Sequence, residues 1–145
     1  MTASRPVYGE QIAPAGTLLI VRRGAVAGVV AAVVTTATAL IARSADVDLE
    51  VDGAAIPVAA FAMWTLVGAA LGVALARLLG DRRRFVAVAL AATGLSLVPP
   101  IVLPDEVATK AVLVVAHLLA AAIIVPSLSR LLAVSSESGR GGRDR

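Results

Sequence analysis

Four long uncharged runs divide the chain, and the charged residues are confined to the segments between them. The runs contain 19, 24, 20 and 19 residues and lie at 24–42, 53–76, 85–104 and 111–129. About 20 residues of helix cross a hydrocarbon core of ~30 Å, and a backbone in lipid must satisfy its own hydrogen bonds, which favours helices over open strands. One such run could be the core helix of a soluble bundle. Four in succession predict an all-α integral membrane protein built as a four-transmembrane-helix bundle.

The boundaries of this bundle follow from the same pattern. We predict a transmembrane domain at 21–133, with spans at 24–42, 57–79, 85–103 and 111–132. Residues 1–20 form a predicted flexible arm, and residues 134–145 form a predicted disordered tail that is rich in Gly, Ser and Arg. The first run is longer than the 7–15 apolar residues of a signal peptide, so we expect it to remain as an uncleaved span.

The distribution of positive charge predicts an orientation. Eleven of the 13 Arg and Lys residues lie in the arm, in the second loop and in the tail, whereas only Arg43 and Lys110 lie in the first and third loops. Basic residues near the ends of spans are retained in the cytoplasm. We therefore expect a multi-pass protein of the cell membrane with both termini cytoplasmic.

Composition narrows the possible functions. The chain is 59% hydrophobic with a mean hydropathy of +0.91, and it contains no cysteine, which excludes disulfides, thiolate metal sites and cysteine nucleophiles. The net charge of +3 could suggest nucleic acid, but the turn "GDRRRF" is short and its arginines are suited to anionic lipid at the inner leaflet. We predict the lipid bilayer as a partner and no nucleic acid.

The first loop contains the acidic stretch "RSADVDLEVDGAAIPV". Its acids occupy every second position, at Asp46, Asp48, Glu50 and Asp52. A calcium-binding EF-hand loop needs a glycine and a glutamate at positions that this stretch does not provide. Strict alternation is typical of a half-buried extended segment. We therefore predict a short extended acidic loop on the outer side and no metal site.

Polar residues inside the spans are the candidates for a functional site. His117, Ser96, Thr35, Thr36 and Thr65 all lie at similar depth in the outer leaflet when each is counted from its helix end. They could form a polar pocket or a proton-responsive site centred on His117. They could also form a layer of interhelical hydrogen bonds without further function, and this is the interpretation we favour.

Prolines and small residues suggest how the helices pack. Pro99 and Pro100, in "LSLVPPIVLP", lack backbone N–H groups and predict a helix kink near the outer surface. "GAVAG" and "GAALG" have the spacing that lets helix backbones approach closely, either within the chain or between copies or partners. The sole tryptophan, Trp64, lies well inside the second run and is predicted to pack against other helices.

Several fragments resemble one family when taken in order. They are "DVDLEV", "IPV", "RRRF", "LSLVPP" and "AHLLAAAIIVPSL", and they extend over most of the chain. They are similar to a family of small four-span membrane proteins of unknown function that is common in actinobacteria. The resemblance implies the fold and the membrane location, and it brings no catalytic or binding residue.

No pattern in the chain predicts catalysis. We find no Ser/His/Asp set, no carboxylate pair and no phosphate-binding loop, so we predict no enzyme activity, no catalytic residue, no cofactor and no bound metal. The favoured function is that of a structural or accessory component of the cytoplasmic membrane. A possible partner is another membrane protein or a second copy of the chain. The alternative is a small transporter or channel component with a polar site around His117.

Overall fold

The architecture is that of a helical bundle with one small hairpin. A computed structural model describes the backbone of residues 14–138 and the side chains of residues 17–133. The elements, in order, are α1 (Pro14–Ser44), β1 (Glu50–Val51), β2 (Ala54–Ala55), α2 (Val58–Leu79), α3 (Arg82–Ser96), α4 (Val98–Val102) and α5 (Val107–Ser138). Most of the predicted arm and the end of the predicted tail lie outside the described residues.

Four helical segments are long and apolar enough to cross a membrane. They are Thr17–Ser44, Val58–Leu79, Arg82–Val102 and Val107–Ala133, with mean hydropathies between 2.1 and 2.5. Many large apolar side chains on them are exposed, among them Leu78 at 83% and Leu95 at 75%. Exposed apolar side chains of this number are stable next to hydrocarbon and not next to water. The predicted all-helical fold with four membrane-length helices is confirmed.

The helices differ in how closely they pack. Helix α1 lies along both α2 and α5, whereas α2 and α3 touch much less although they are consecutive. The hairpin lies at one end of the bundle, which we call the hairpin end. Helix α3 begins with Arg82, Arg83 and Arg84 at the other end, which we call the arginine end.

Two hydrophobic clusters hold the bundle together, one near each end. The hairpin-end cluster consists of Ala39, Ala42, Leu49, Phe61 and Ala116. The arginine-end cluster consists of Ala31, Ala69, Ala76, Phe85, Ala89, Ile124, Leu128 and Leu132. Much of both clusters is alanine, so close approach of the helix backbones contributes much of the packing.

The acidic stretch folds onto the hairpin end. Its two strands pair antiparallel around Asp52 and Gly53, which both have positive φ values, of 53° and 74°, as a type I′ turn requires. Leu49 is only 2% exposed and joins the hairpin-end cluster, while the four acids stay exposed. The Thr109 hydroxyl, itself fully buried, donates a hydrogen bond of 2.7 Å to the Asp48 carbonyl. This bond ties the loop to α5.

The two small-residue motifs have different surroundings. In "GAVAG", a Cβ atom added at Gly28 would lie 2.8 Å from the Cβ of Ala69, and one added at Gly24 would meet the side chain of Val73. In "GAALG", a Cβ added at Gly72 would lie 3.3 Å from Leu128, whereas one added at Gly68 would meet nothing within 4 Å. Gly24 and Gly28 therefore allow α1 and α2 to touch, and Gly68 faces open space.

This contrast predicts opposite effects of one substitution at two glycines. Gly28→Leu should destabilise the bundle by about 1–3 kcal/mol, because the added side chain overpacks the α1–α2 contact. Gly68→Leu should leave stability unchanged or raise it by about 0.5–1 kcal/mol, because leucine is a better helix former in open space. SDS-induced unfolding in mixed micelles measures both. Equal losses at the two positions would contradict the packing described here.

Candidate functional site

A groove lies between α2, α3 and α5. Its volume is about 670 Å³. Most of its lining is apolar and much of that is Ala or Gly, which leaves room between the helices. The lining residues that matter for its chemistry are Thr35, Trp64, Thr65, Thr93, Ser96 and His117.

The groove results from the way in which the turn at the arginine end starts α3. Gly80 ends α2 in the left-handed region at φ 61°, and its N–H donates to the carbonyl of Ala76. Asp81 then caps α3, because its carboxylate accepts a 2.9 Å hydrogen bond from the N–H of Arg84. Phe85, only 1% exposed, closes the groove at this end. Since α2 and α3 touch little, the gap between them stays open.

Four of the five predicted polar residues line this single groove. They are His117, Ser96, Thr35 and Thr65, which come from all four membrane-length segments. The fifth, Thr36, lies instead in a second groove of about 380 Å³ between α1 and α2. Adjacent helical residues point about 100° apart, so depth alone could not separate Thr36 from Thr35.

One groove residue was missed by the sequence analysis. Thr93 lies one helical turn before Ser96 on α3 and lines the same groove. Its spacing of three residues from Ser96 was the signal that could have found it, because residues at i and i+3 share a helix face. The prediction for Trp64 is wrong, since its side chain is 66% exposed at the groove.

The polar residues form a band between the two hydrophobic clusters. Thr35 lies one turn from Ala31 of the arginine-end cluster and one turn from Ala39 of the hairpin-end cluster. Thr65 is placed in the same way between Ala69 and Phe61. We call Thr35, Thr65, Thr93, Ser96 and His117 the polar band. Along the bundle axis, the polar band lies between the two clusters, at a position where the side chains of neither cluster fill the gap between α2 and α3.

The hydrogen bonds in the band can be assigned a direction. The Thr35 hydroxyl donates to the carbonyl of Ala32 at 3.2 Å and lies 3.0 Å from the hydroxyl of Thr65. A hydroxyl has one hydrogen, so both contacts of Thr35 are satisfied together when Thr65 donates to it, and we assign that direction. Thr35 is 1% exposed, and this bond joins α1 to α2.

The remaining members of the band donate along their own helices. The hydroxyl of Thr93 donates to Ala89 and that of Ser96 donates to Thr93, each at 2.8 Å. Nδ1 of His117 lies 3.3 Å from the carbonyl of Leu113. A carbonyl can only accept, so Nδ1 carries the hydrogen and Nε2 of the neutral ring is an acceptor.

A helix break lies beside the band. Helix α3 ends at Ser96, and the five-residue α4 begins at Val98. Pro99 and Pro100 are the residues three and four positions after Ser96, and neither has an N–H group. The carbonyl of Ser96 therefore has no helical donor, whereas the carbonyl of Leu95 accepts a bond from Leu97.

The groove has little capacity for acid–base or metal chemistry. Its lining contains no Asp, Glu, Lys or Arg, and His117 is its only titratable side chain. Among the described residues, no three His, Asp or Glu side chains lie together as a metal site would require. The arrangement is suited to binding an apolar molecule that carries a small polar group.

Comparison with known protein families supplies one match. The sequence profile of a family of unknown function, DUF6069, matches residues 17–134. The chain belongs to this family. Comparison with curated proteins found no match, and comparison with solved structures found none. Membership of DUF6069 assigns no activity to the groove.

The hydrogen bond between α1 and α2 in this DUF6069 member makes a testable prediction. Thr65→Val keeps the shape of the side chain and removes the donor to Thr35, so it should destabilise the bundle by about 0.6 kcal/mol, the average for such bonds in membranes. Thr36→Val is the control, because Thr36 makes no hydrogen bond through its side chain in the described structure and should lose nothing. SDS-induced unfolding of both variants is the measurement. The assignment fails if Thr36→Val destabilises as much as Thr65→Val.

Proposed function

We propose that the chain is a non-enzymatic accessory protein of the cytoplasmic membrane that holds a second membrane-embedded molecule in its groove. The observation that carries the proposal is the groove of about 670 Å³ between α2, α3 and α5. Ligand sites typically have volumes of about 300–1,000 Å³, an apolar lining and a few polar groups. The polar band supplies these groups.

The groove opens sideways from the bundle. Three lining residues of α2, Trp64, Leu71 and Leu78, are 66%, 66% and 83% exposed. In a membrane these side chains face hydrocarbon, so a ligand would enter from the bilayer. An apolar groove in contact with hydrocarbon does not stay empty, and its occupant is therefore a component of the membrane.

The chemistry of the lining supports binding over catalysis. General acid–base catalysis needs a side chain that transfers a proton to or from a reacting group, commonly aided by a second polar partner. His117 has no carboxylate beside it in the groove, and the hydroxyls of the band are engaged in hydrogen bonds to the protein. We therefore propose a function that involves no bond formation or cleavage.

A small transporter or channel component is the second candidate. This candidate is favoured because four polar residues line one groove: His117, Ser96, Thr35 and Thr65. A pathway would also have to pass both clusters, where Phe61 and Phe85 are 7% and 1% exposed. Flux through proteoliposomes that is lost in His117→Leu would support this candidate over the accessory function.

The proposed membrane orientation can be tested with single cysteines, because the chain has none of its own. Glu50→Cys lies in the exposed hairpin and Arg83→Cys in the exposed first turn of α3 at the arginine end. With both termini cytoplasmic, a membrane-impermeant maleimide should label Glu50→Cys in intact cells and Arg83→Cys only after permeabilisation. Labelling of both variants in intact cells, or the reverse pattern, would overturn the orientation.

A photocrosslinker placed in the groove tests the proposed function. Ala92 lines the groove, and Leu90, which is 59% exposed, lies two residues away on α3 outside it. A photoreactive maleimide on Ala92→Cys in native membranes should give one adduct of defined mass, read by intact-mass spectrometry. The same reagent on Leu90→Cys should give a heterogeneous mixture, since that position faces bulk lipid.

A groove-filling variant provides the internal control. Gly68→Leu places a side chain in the open groove and should remove the defined adduct from Ala92→Cys without unfolding the bundle. The proposed function is wrong if Ala92→Cys and Leu90→Cys give the same mixture, or if Gly68→Leu leaves the adduct intact.

A further inference from the structure

We propose that the occupant of the groove is a neutral lipid with a hydroxyl head and a single hydrocarbon chain, held by hydrogen bonds from its hydroxyl to the polar band. The inference rests on the proposed function and names the chemical class of ligand for the same groove. It is carried by the direction of the hydrogen bonds around the band, by the depth of the band and by the absence of charged side chains from the groove lining.

The polar band offers acceptors and no free hydroxyl hydrogen. Thr65 donates to Thr35, Thr93 donates to Ala89 and Ser96 donates to Thr93. Each of these oxygens keeps lone pairs that can accept a further bond. Nε2 of neutral His117 is an acceptor as well, because Nδ1 donates to Leu113. A ligand that binds here must therefore bring a donor.

The helix break adds a strong acceptor at the same level. The carbonyl of Ser96 has no helical N–H partner because Pro99 and Pro100 occupy the two donor positions. An unpaired carbonyl in an apolar environment costs free energy comparable to a lost hydrogen bond. A hydroxyl group that donates to this carbonyl removes that cost.

The depth of the band excludes a charged head group. Ser96 lies six residues before Val102 at the end of α4, so it is about 9 Å from that end along the helix axis. Charged groups at such depth are costly, and the groove lining contains no charged side chain that could pair with them. Phosphate and ammonium heads would therefore stay at the surface, whereas a hydroxyl can descend to the band.

Trp64 also favours a hydroxyl. Its indole N–H is the one donor among the side chains that line the groove, since the hydrogens of the hydroxyls and of Nδ1 are engaged. A hydroxyl can both donate to the band and accept from an indole, whereas an ammonium group can only donate. A neutral hydroxyl matches both kinds of group on the walls.

The groove length is suited to one hydrocarbon chain. Along α3 the lining runs from Phe85 to Ser96, about 16 Å at the helical rise, and along α2 it runs from Ala60 to Leu78, about 27 Å. The backbone N–H groups of a partner's transmembrane helix would already be bonded within that helix, so its backbone would bring no donor to the polar band. A lipid chain with its hydroxyl at the band fits the shape and supplies the missing donor.

Trp64 is a built-in reporter for the test, because it is the only tryptophan and lines the groove. The full chain is placed in phosphatidylcholine nanodiscs at mildly alkaline pH. Hexadecanol brominated along its chain is added, and quenching of Trp64 fluorescence is followed. The matched probe is the methyl ether of the same alcohol, which keeps the chain and the oxygen but has no hydrogen to donate.

The alcohol should quench saturably and reach half-saturation at about one fifth of the ether concentration, the ratio expected for one net hydrogen bond. His117→Leu should abolish this preference by removing the Nε2 acceptor. Pro100→Ala should reduce it as well, because the restored N–H can bond to the carbonyl of Ser96. Pro126→Ala is the control, since it changes a helix proline in α5 that does not line the groove, and it should keep the preference.

Each outcome decides the proposal. Equal quenching by alcohol and ether in the unmodified chain overturns it, as does a preference that survives both His117→Leu and Pro100→Ala. A different outcome is a defined protein adduct at Ala92→Cys with no preference for the alcohol, which would mean that the groove holds a partner helix. The proposed function would then stand, and the lipid inference would fail. No defined adduct and no preference would overturn both.

Discussion

A polar group in hydrocarbon must find its hydrogen-bond partner within the protein, and this constraint shapes each irregular feature of the chain. The hydroxyls of Thr93 and Ser96 bond back to carbonyls of their own helix. The hairpin is tied to α5 through Thr109 and the Asp48 carbonyl. No buried side-chain nitrogen or oxygen among the described residues lacks a partner. The backbone carbonyl of Ser96 has no helical N–H donor, because Pro99 and Pro100 occupy the donor positions, and Ser96 lines the groove.

The groove exists because helix packing is uneven. Gly24 and Gly28 bring α1 against α2, and α5 covers the other side of α1. Helix α3 leaves the capped turn at the arginine end and packs mainly on α5, so the space beside α2 is left open. Small side chains thus have two effects in one bundle: they close the contact between α1 and α2, and they widen the gap between α2 and α3.

Engaged hydroxyls give the groove a chemical preference. A wall of free hydroxyls could donate to the oxygen of an alcohol and to that of an ether alike, so it would distinguish the two less strongly. Because the hydrogens of Thr65, Thr93 and Ser96 are already used within the protein, the same residues become acceptors towards a ligand. Selectivity of this kind arises from local helical bonds that are usually regarded as structural only, and it requires no charge inside the membrane.

Hydrophobic patterning by itself determined the class of fold, because the spacing of charges reports directly on which segments can lie in hydrocarbon. It also placed His117, Ser96, Thr35 and Thr65 at one depth, since helical rise converts sequence position into depth. The chain contains two further local signals. One is the "DG" pair, which indicates the hairpin turn, and the other is the three-residue spacing of Thr93 and Ser96, which places both on one helix face. Tertiary structure alone decided which helix faces meet. The rotation of each helix about its axis placed Thr35 in the groove and Thr36 outside it. It also left the side chain of Trp64 exposed, and it placed Gly28 in a helix contact but Gly68 in open space. Those rotations depend on packing between segments that are distant in the chain, and no single segment contains that information.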